Sequence, residues 1–460
     1  MRRSTSVGGD IEPWGSMGIS RRATGRSLVW AKSLYRQKAS VKLELKHKKP
    51  THLMNFVCLP VWIKQGTKQL AAILLLSLLV GCRPDAVDEA AETPFSRPQA
   101  WSSAQTQGRL QPFPPRLSIR LQRLLNRSVG EDKLPGAVLY IATSDGVWMG
   151  AAGQADLKKR TLLKPTDRFR IANLTELFTA VLCLQLAQEG KLELDEPIAR
   201  YLPKEVSTKL GNTQAITVRH LLNHTSGLAD LEPEALKQAV TTTPNRKWTV
   251  KTLLDFLPTR PTQRRVGWYN HTATNYLLLQ LILEQVTGQP LVRVLHNRIT
   301  TPLKLNNTFL EQQEPIPNGF VQGYQDWNSD GSRDSVTQPL INTGLGMGNN
   351  GIVSTAPDVV RFFQTLFTGD KLLYPNSLDQ MMTLAQGSTD SYGLGIVHTQ
   401  TRWGEAWGQA GAVTGFSSVL LYLPLHDLTL VVWTNDGDRG LDNPYELAEK
   451  SLEIILGDSH

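Results

Sequence analysis

Phe169-Arg170-Ile171-Ala172-Asn173-Leu174-Thr175-Glu176-Leu177-Phe178-Thr179-Ala180 begins with alternating residues and then turns apolar on every side. From about Thr175 to Gln188 no polar face interrupts it, and Gly190 supplies the stop. That pattern predicts a helix buried all round rather than one lying on a surface. Its first residues, Asn173-Leu174-Thr175-Glu176, match a capping box, with Asn173 as N-cap and Glu176 three positions on. On this reading the helix start is well capped and unstrained.

Working outward, Gly136-Ala137-Val138-Leu139-Tyr140-Ile141-Ala142 reads as a strand, Ser144-Asp145-Gly146 as a turn, and Val147-Trp148-Met149 as the returning strand. Towards the other end, Ser417 to Leu423 and Leu428 to Trp433 are two strands joined by Pro424 to Asp427. A last helix spans about Tyr445 to Ile455. Leu117, Leu121, Leu124 and Leu125 recur at helical spacing ahead of the first strand. Strands at both ends with helices between them predict an α/β fold: an antiparallel sheet that brings the termini together, flanked by helices, plus a mainly helical subdomain.

Several segments resemble one family. Phe169 to Ala172, Leu177 to Ala180 and Leu186-Ala187-Gln188-Glu189-Gly190-Lys191-Leu192 look like the core helix of class C β-lactamases and their esterase and D,D-peptidase relatives. Ile216-Thr217-Val218-Arg219-His220-Leu221-Leu222-Asn223-His224-Thr225-Ser226-Gly227-Leu228, Gly351-Ile352-Val353-Ser354-Thr355-Ala356-Pro357-Asp358 and Gly415-Phe416-Ser417-Ser418 follow in the family's order. The resemblance, to the serine β-lactamase and penicillin-binding protein family, covers about residues 116 to 455 and implies the β-lactamase/transpeptidase-like fold.

It also implies where chemistry belongs. The family forms an acyl-enzyme on the serine of an S-x-x-K turn, helped by a tyrosine in a Y-x-N motif and a K/H-x-G strand. A serine is a poor nucleophile without that activating set. Aligned on the flanking segments, the serine position holds Asn173 and the lysine position Glu176. The tyrosine position holds His271, followed by Thr272, and the asparagine position holds Ala273. The histidine of H-x-G is Gln409, ahead of Gly411. Shifting the frame to Thr175 gives no rescue, because residue 178 is then Phe178. Removing one member of such a unit can cost on the order of a millionfold in turnover. The expectation is therefore a family member with degenerate catalytic motifs and a residual pocket of Asn173, Glu176, His271, Thr272, Gln409 and Gly411. Glu176 and His271 should lie within hydrogen-bond reach or one water apart. His224 and Ser226 are assigned turn-forming roles. Two other readings compete: a repurposed hydrolase in which Glu176 and His271 act on a bound water, and a serine hydrolase using an unrecognised serine.

The front end reads as an address. Lys64 and Lys68, the apolar run Leu70 to Val80, and Leu79-Val80-Gly81-Cys82 have the order of a bacterial lipoprotein signal. The apolar run falls short of the ~20 residues that span a bilayer. The expected division is residues 1–53 as translated upstream sequence, 54–81 as signal peptide starting at Met54, 82–115 as a Pro-rich spacer, and 116–460 as the β-lactamase-like domain. Cys82 is the expected lipid attachment site, which places the protein in the bacterial envelope, facing the periplasm or exterior. Its expected partners are the membrane, through the anchor, and a cell-wall peptide or a protein.

Of the 460 residues, 49 are basic and 41 acidic, a net charge of +8. The first 81 residues hold 14 of the basic and 3 of the acidic ones, so the remainder carries −3. The basic balance belongs to the front end and gives no ground for a nucleic-acid partner, and none is expected. Cys58, Cys82 and Cys183 make neither a disulfide framework nor metal-ligand spacing. Asp326-Trp327-Asn328-Ser329-Asp330-Gly331 opens like a calcium loop, but Thr337 stands where a bidentate glutamate is required. No metal or cofactor is expected.

Overall fold

The computed structural model describes residues 112–130, 133–243, 246–258, 264–337, 347–367, 371–385 and 392–457. The expected upstream segment, signal peptide, Cys82 and the spacer as far as residue 111 lie outside them. Packing starts slightly ahead of the expected Arg116. Phe113 is buried, and Pro112 bridges Val147.

Helix α1 (Pro115–Gly130) leads into β1 (Gly136–Thr143) and β2 (Gly146–Asp156), the predicted hairpin, and then the short β3 (Thr161–Leu162). At the far end β7 (Val397–Thr401), β8 (Gly404–Val413), β9 (Phe416–Leu423) and β10 (Leu428–Thr434) precede the last helix, α6 (Asp442–Leu456). One seven-stranded antiparallel sheet holds all of these strands in the order β3-β2-β1-β10-β9-β8-β7. Its middle joins the two ends of the chain, with Val138 opposite Trp433 and Ile141 opposite Leu430.

The period of two along these strands sorts side chains to the sheet's two faces. Ala137, Leu139 and Ile141 of β1 meet Leu430 and Val432 of β10, and Leu121, Leu125, Leu447 and Leu452 from α1 and α6 close that side. Val138, Tyr140 and Ala142 point the other way, with Val431 and Trp433, into the larger helical region. Both faces are covered, so the central strands read as continuous apolar runs. This is the β-lactamase/transpeptidase fold.

The helical region is built around α2 (Leu174–Gln188), in which Leu174 to Leu186 are all buried. It also contains α3 (Val218–Leu222), α4 (Ala273–Thr287) and α5 (Ala356–Phe367). A small sheet of β4 (Phe169–Arg170), β5 (Phe309–Leu310) and β6 (Ile352–Ser354), ordered β4-β6-β5, holds the chain just before α2. Cys183 is a buried free thiol, as its apolar setting on α2 predicts. Among the described residues no helix is long and apolar enough to cross a membrane.

The Asp326 to Gly331 segment is a self-bonded turn. Asp326 accepts from the backbone N–H groups of Asp330 and Gly331, and Asp330 accepts from Ser332. Those carboxylates are spent on their own loop.

Candidate functional site

The strand-to-helix switch at Ile171 to Asn173 sets the geometry. Ile171 donates its N–H to Ile352 of β6, and its carbonyl accepts the Ser418 hydroxyl of β9 at 2.8 Å. The chain then turns through Ala172, which is fully buried at φ 49°, a left-handed conformation that costs an alanine of the order of 1 kcal/mol. This corrects the expectation of a relaxed, better-capped helix. Asn173 already has helical angles, φ −64° and ψ −7°, and its side chain caps nothing. An N-cap side chain reaches the N–H groups ahead of it only from an extended backbone. Instead the Asn173 amide donates to Glu176 Oε1 at 3.1 Å.

Glu176 is therefore the centre of the site. It is fully buried in the first turn of α2, where the helix dipole favours an anion. Tyr392 donates its hydroxyl to Glu176 Oε2 at 2.9 Å, and Gln409 donates to the Tyr392 oxygen at 2.9 Å. His224 Nε2 lies 3.3 Å from Oε2, and His271 Nε2 lies 3.6 Å from Oε1.

Two loops bring the histidines together. His224 has φ 57°, and its carbonyl accepts the N–H of Asn270, while Thr225 O accepts from Gly267 and Gly227 O from Arg264. Gly227, at φ 72°, lies so close to the second loop that a Cβ there would sit 2.2 Å from Arg264 O. The stapled loops place the His224 and His271 rings 4.1 Å apart. His224 thus makes a turn, as its sequence context suggested, and also bonds the central carboxylate, which that reading missed.

The tautomer of His224 follows from its other nitrogen. Nδ1 faces the side-chain amide of Asn275 at 3.0 Å and the backbone N–H of Thr272 at 3.4 Å. Asn275 Oδ1 is taken by the Ser226 hydroxyl at 2.6 Å, so its NH2 group faces the imidazole. Nδ1 accepts, and Nε2 carries the proton given to Glu176. Burial and repulsion by His271 lower the His224 pKa to about 4, against the pull of Glu176, so the ring is neutral at pH 7. Burial alone would raise the Glu176 pKa. The neighbouring His271, and then the hydrogen-bonded His224, outweigh it and hold the carboxyl well below its usual range. Burial, then the neighbouring Glu176, raises the Tyr392 hydroxyl well above 10, so it remains a donor.

Of the sequence-derived pocket residues, Asn173, Glu176, His271, Gln409 and Gly411 come together. Gly411 lets β8 press on the helix start, since a Cβ there would lie 2.3 Å from Asn173 N. Thr272 and Ala273 do not turn polar side-chain atoms to the centre. The Thr272 hydroxyl caps α4 at Thr274 and bonds Asp230, and Ala273 donates its N–H to Asp230. Thr272 contributes through its backbone. Tyr392 was also missed; its only local signal is an aromatic residue before the paired glycines of Gly393-Leu394-Gly395.

What the arrangement offers chemically is a buried carboxylate, a neutral imidazole, a phenol and two amides, with His271 at the solvent side, its side chain 37% exposed. Glu176, His224 and His271 are also a donor set that could hold a metal.

The β-lactamase family model matches residues 121–451. Protein flp of Staphylococcus aureus (strain N315) is 28% identical over 227 residues, 48% of this chain and 44% of that protein. The chain thus spans less than half the length of that relative. Two solved structures align over far more. The D-stereospecific amidohydrolase from Streptomyces sp. is 28% identical with a TM-score of 0.63, covering 74% of this chain and 99% of its own. The D-amino acid amidase from Ochrobactrum anthropi SV3 complexed with D-phenylalanine is 26% identical with a TM-score of 0.65, covering 75% of this chain and 100% of its own. With the fold, the site's position at the start of α2 and a family match over most of its length, the chain belongs to the β-lactamase family.

Proposed function

We propose that this chain is a catalytically degenerate member of the family, anchored in the bacterial envelope through a lipid on Cys82, whose inherited pocket binds a ligand without acylating. One observation carries the reading: the buried carboxylate of Glu176 stands at the centre, with the surrounding donors turned on it. Acyl transfer develops an oxyanion, which needs positive charge or free donors nearby. A carboxylate about 4 Å from that oxyanion opposes it by roughly 4 kcal/mol at an effective dielectric of 20, on the order of a thousandfold in rate. The neighbouring hydroxyls are engaged elsewhere. Ser226 donates to Asn275, Ser418 to Ile171 O, and Thr175 accepts from Ile352 N–H.

The ligand class that fits best is a cell-wall peptide bearing D-amino acids, since two similar structures are named for D-amino acid or D-stereospecific substrates. A lipid or protein partner is the alternative occupant. The test is incubation of the protein with a fluorescent penicillin and a fluorophosphonate. No covalent label is expected; stoichiometric labelling would overturn the reading. A second reading, in which Glu176 and His271 activate water, draws on the solvent exposure of His271 beside a buried base. Ester turnover without labelling, abolished in Glu176→Gln, would favour it.

A further inference from the structure

Three segments far apart in sequence, the first turn of α2, the loop after α3 and the loop before α4, each deliver one ligand atom to the same point. The donor atoms of Glu176, His224 and His271 all lie within 4.8 Å of one another. A tetrahedral ion with ligands at about 2.0–2.1 Å separates neighbouring donors by roughly 3.3 Å. His224 Nε2 lies 3.3 Å from Glu176 Oε2 and His271 Nε2 lies 3.6 Å from Oε1, so each imidazole already stands near that spacing from one of the two carboxylate oxygens. We propose that Glu176, His224 and His271 form a site for a first-row divalent cation of the zinc type, with a coordination position open on the side of His271.

Two imidazole nitrogens and one carboxylate oxygen are a borderline donor set, suited to zinc, cobalt, nickel or copper rather than to magnesium or calcium. The charge balance points the same way. Glu176 is wholly buried, and its side-chain partners are Asn173, Tyr392 and the two histidines, with no lysine or arginine within ion-pair reach among the described residues. A divalent cation would neutralise that carboxylate outright.

The hydrogen bonds allow the required rearrangement. To ligate, His224 must present the Nε2 lone pair and carry its proton on Nδ1. The proton moves from one ring nitrogen to the other through solvent, and none is lost. Asn275, whose amide now gives NH2 to Nδ1, would turn over, offering Oδ1 to the Nδ1–H and NH2 to the Ser226 oxygen, and the long 3.4 Å contact from the Thr272 N–H would be given up. Asn275 would then be a positioning residue that fixes the tautomer of a metal-bound histidine. Tyr392 keeps its bond to the carboxylate throughout.

The proposal goes beyond the reading of the pocket as non-acylating and does not depend on it. Metal binding and penicillin labelling are separate measurements, so either idea can fail alone. Full-length protein stripped with EDTA would be dialysed against Zn²⁺, Co²⁺ and Mg²⁺. One equivalent of Zn²⁺ per chain is expected, displaceable by Co²⁺ with the visible absorption of a four- or five-coordinate nitrogen–oxygen site, and no comparable Mg²⁺ binding. His271→Ala and Glu176→Gln should each weaken Zn²⁺ binding at least tenfold. His296→Ala, which breaks the His296–Glu314 pair elsewhere, should leave it unchanged. His271 is partly exposed, so its variant can be matched to wild type by its metal-free melting temperature even if Glu176→Gln folds poorly. Binding equal in wild type and His271→Ala, or Co²⁺ that keeps its octahedral spectrum, would overturn the proposal.

Discussion

Two buried carboxylates flank the entry to α2, and they are neutralised in different ways. Glu311 is held by Arg170 in a two-pronged pair, Nε to Oε2 at 2.8 Å and a terminal nitrogen to Oε1 at 2.9 Å. The guanidinium also lies 5.3 Å from the Phe320 ring and 5.5 Å from Phe416. Six residues after Arg170, Glu176 is met by an amide, a phenol, a neutral imidazole and a second imidazole at the solvent side. The first is a closed structural pair, its charge matched in place by a rigid fork. The second keeps its charge without a guanidinium or ammonium, beside a histidine whose side chain is 37% exposed. A carboxylate held that way fits the proposed ligand or metal role better than that of a closed structural pair.

The sharpest way to break the comparison is to unpair the structural member. Arg170→Met keeps the bulk but strands Glu311, and leaving a buried charge without its partner costs about 3–5 kcal/mol. Urea unfolding should show that loss, and Arg170→Met with Glu311→Leu should recover most of it. A loss below about 1 kcal/mol in the single variant would mean that Glu311 is solvated after all, removing the contrast.

A third buried carboxylate sharpens it. Asp436, 1% exposed, accepts from the Asn443 amide and has Arg333 no nearer than 3.5 Å. Burial, with repulsion from Asp438, raises its pKa from 3.8 to about 6 against the pull of Arg333 and Arg439. Its folded pKa exceeds the unfolded one, so its stabilising contribution is complete below pH ~4 and is lost as the pH rises through about 6. A tenfold change in proton affinity is worth about 1.4 kcal/mol, so Asp436→Asn should stabilise the protein by roughly 2–3 kcal/mol at pH 7 and change little at pH 4. Unfolding curves at the two pH values decide it; a pH-independent effect would remove titration as the cause.

The fold was legible where one rule governed. Short, mainly apolar runs bounded by turn residues at Gly136 to Ala142 and Ser417 to Leu423, and the all-round apolar run through α2, each fit a buried element, and those elements lie where expected. The site was legible where family motifs fix a register, at Asn173, Glu176, His271 and Gln409. It failed where local propensity was asked to decide a position held by tertiary contacts. Asn173 looks like an N-cap by type and spacing, but Ile171 is pinned between β6 and β9, and that drives Ala172 left-handed and Asn173 into the helix. His224 and Tyr392 were invisible for a related reason. What makes them part of the site is the stapling of two loops and the approach of a distant segment, and neither leaves a spacing signal in the chain.

The smallest expected effect concerns the solvent-facing member of the cluster. If Glu176 is secured by Asn173, Tyr392 and His224, then His271 contributes little to the fold. Its side chain is 37% exposed and its nitrogen lies 3.6 Å from the carboxylate, beyond a normal hydrogen bond, while three other groups already bond Glu176. His271→Ala should therefore lower stability by less than about 1 kcal/mol, several times less than unpairing Glu311, as read from urea unfolding of metal-free protein at pH 7. A loss approaching that of Arg170→Met would show that the His271 charge is what keeps Glu176 buried. The two carboxylates would then be the same kind of closed pair, and the distinction between a structural charge and one held for a ligand would fall.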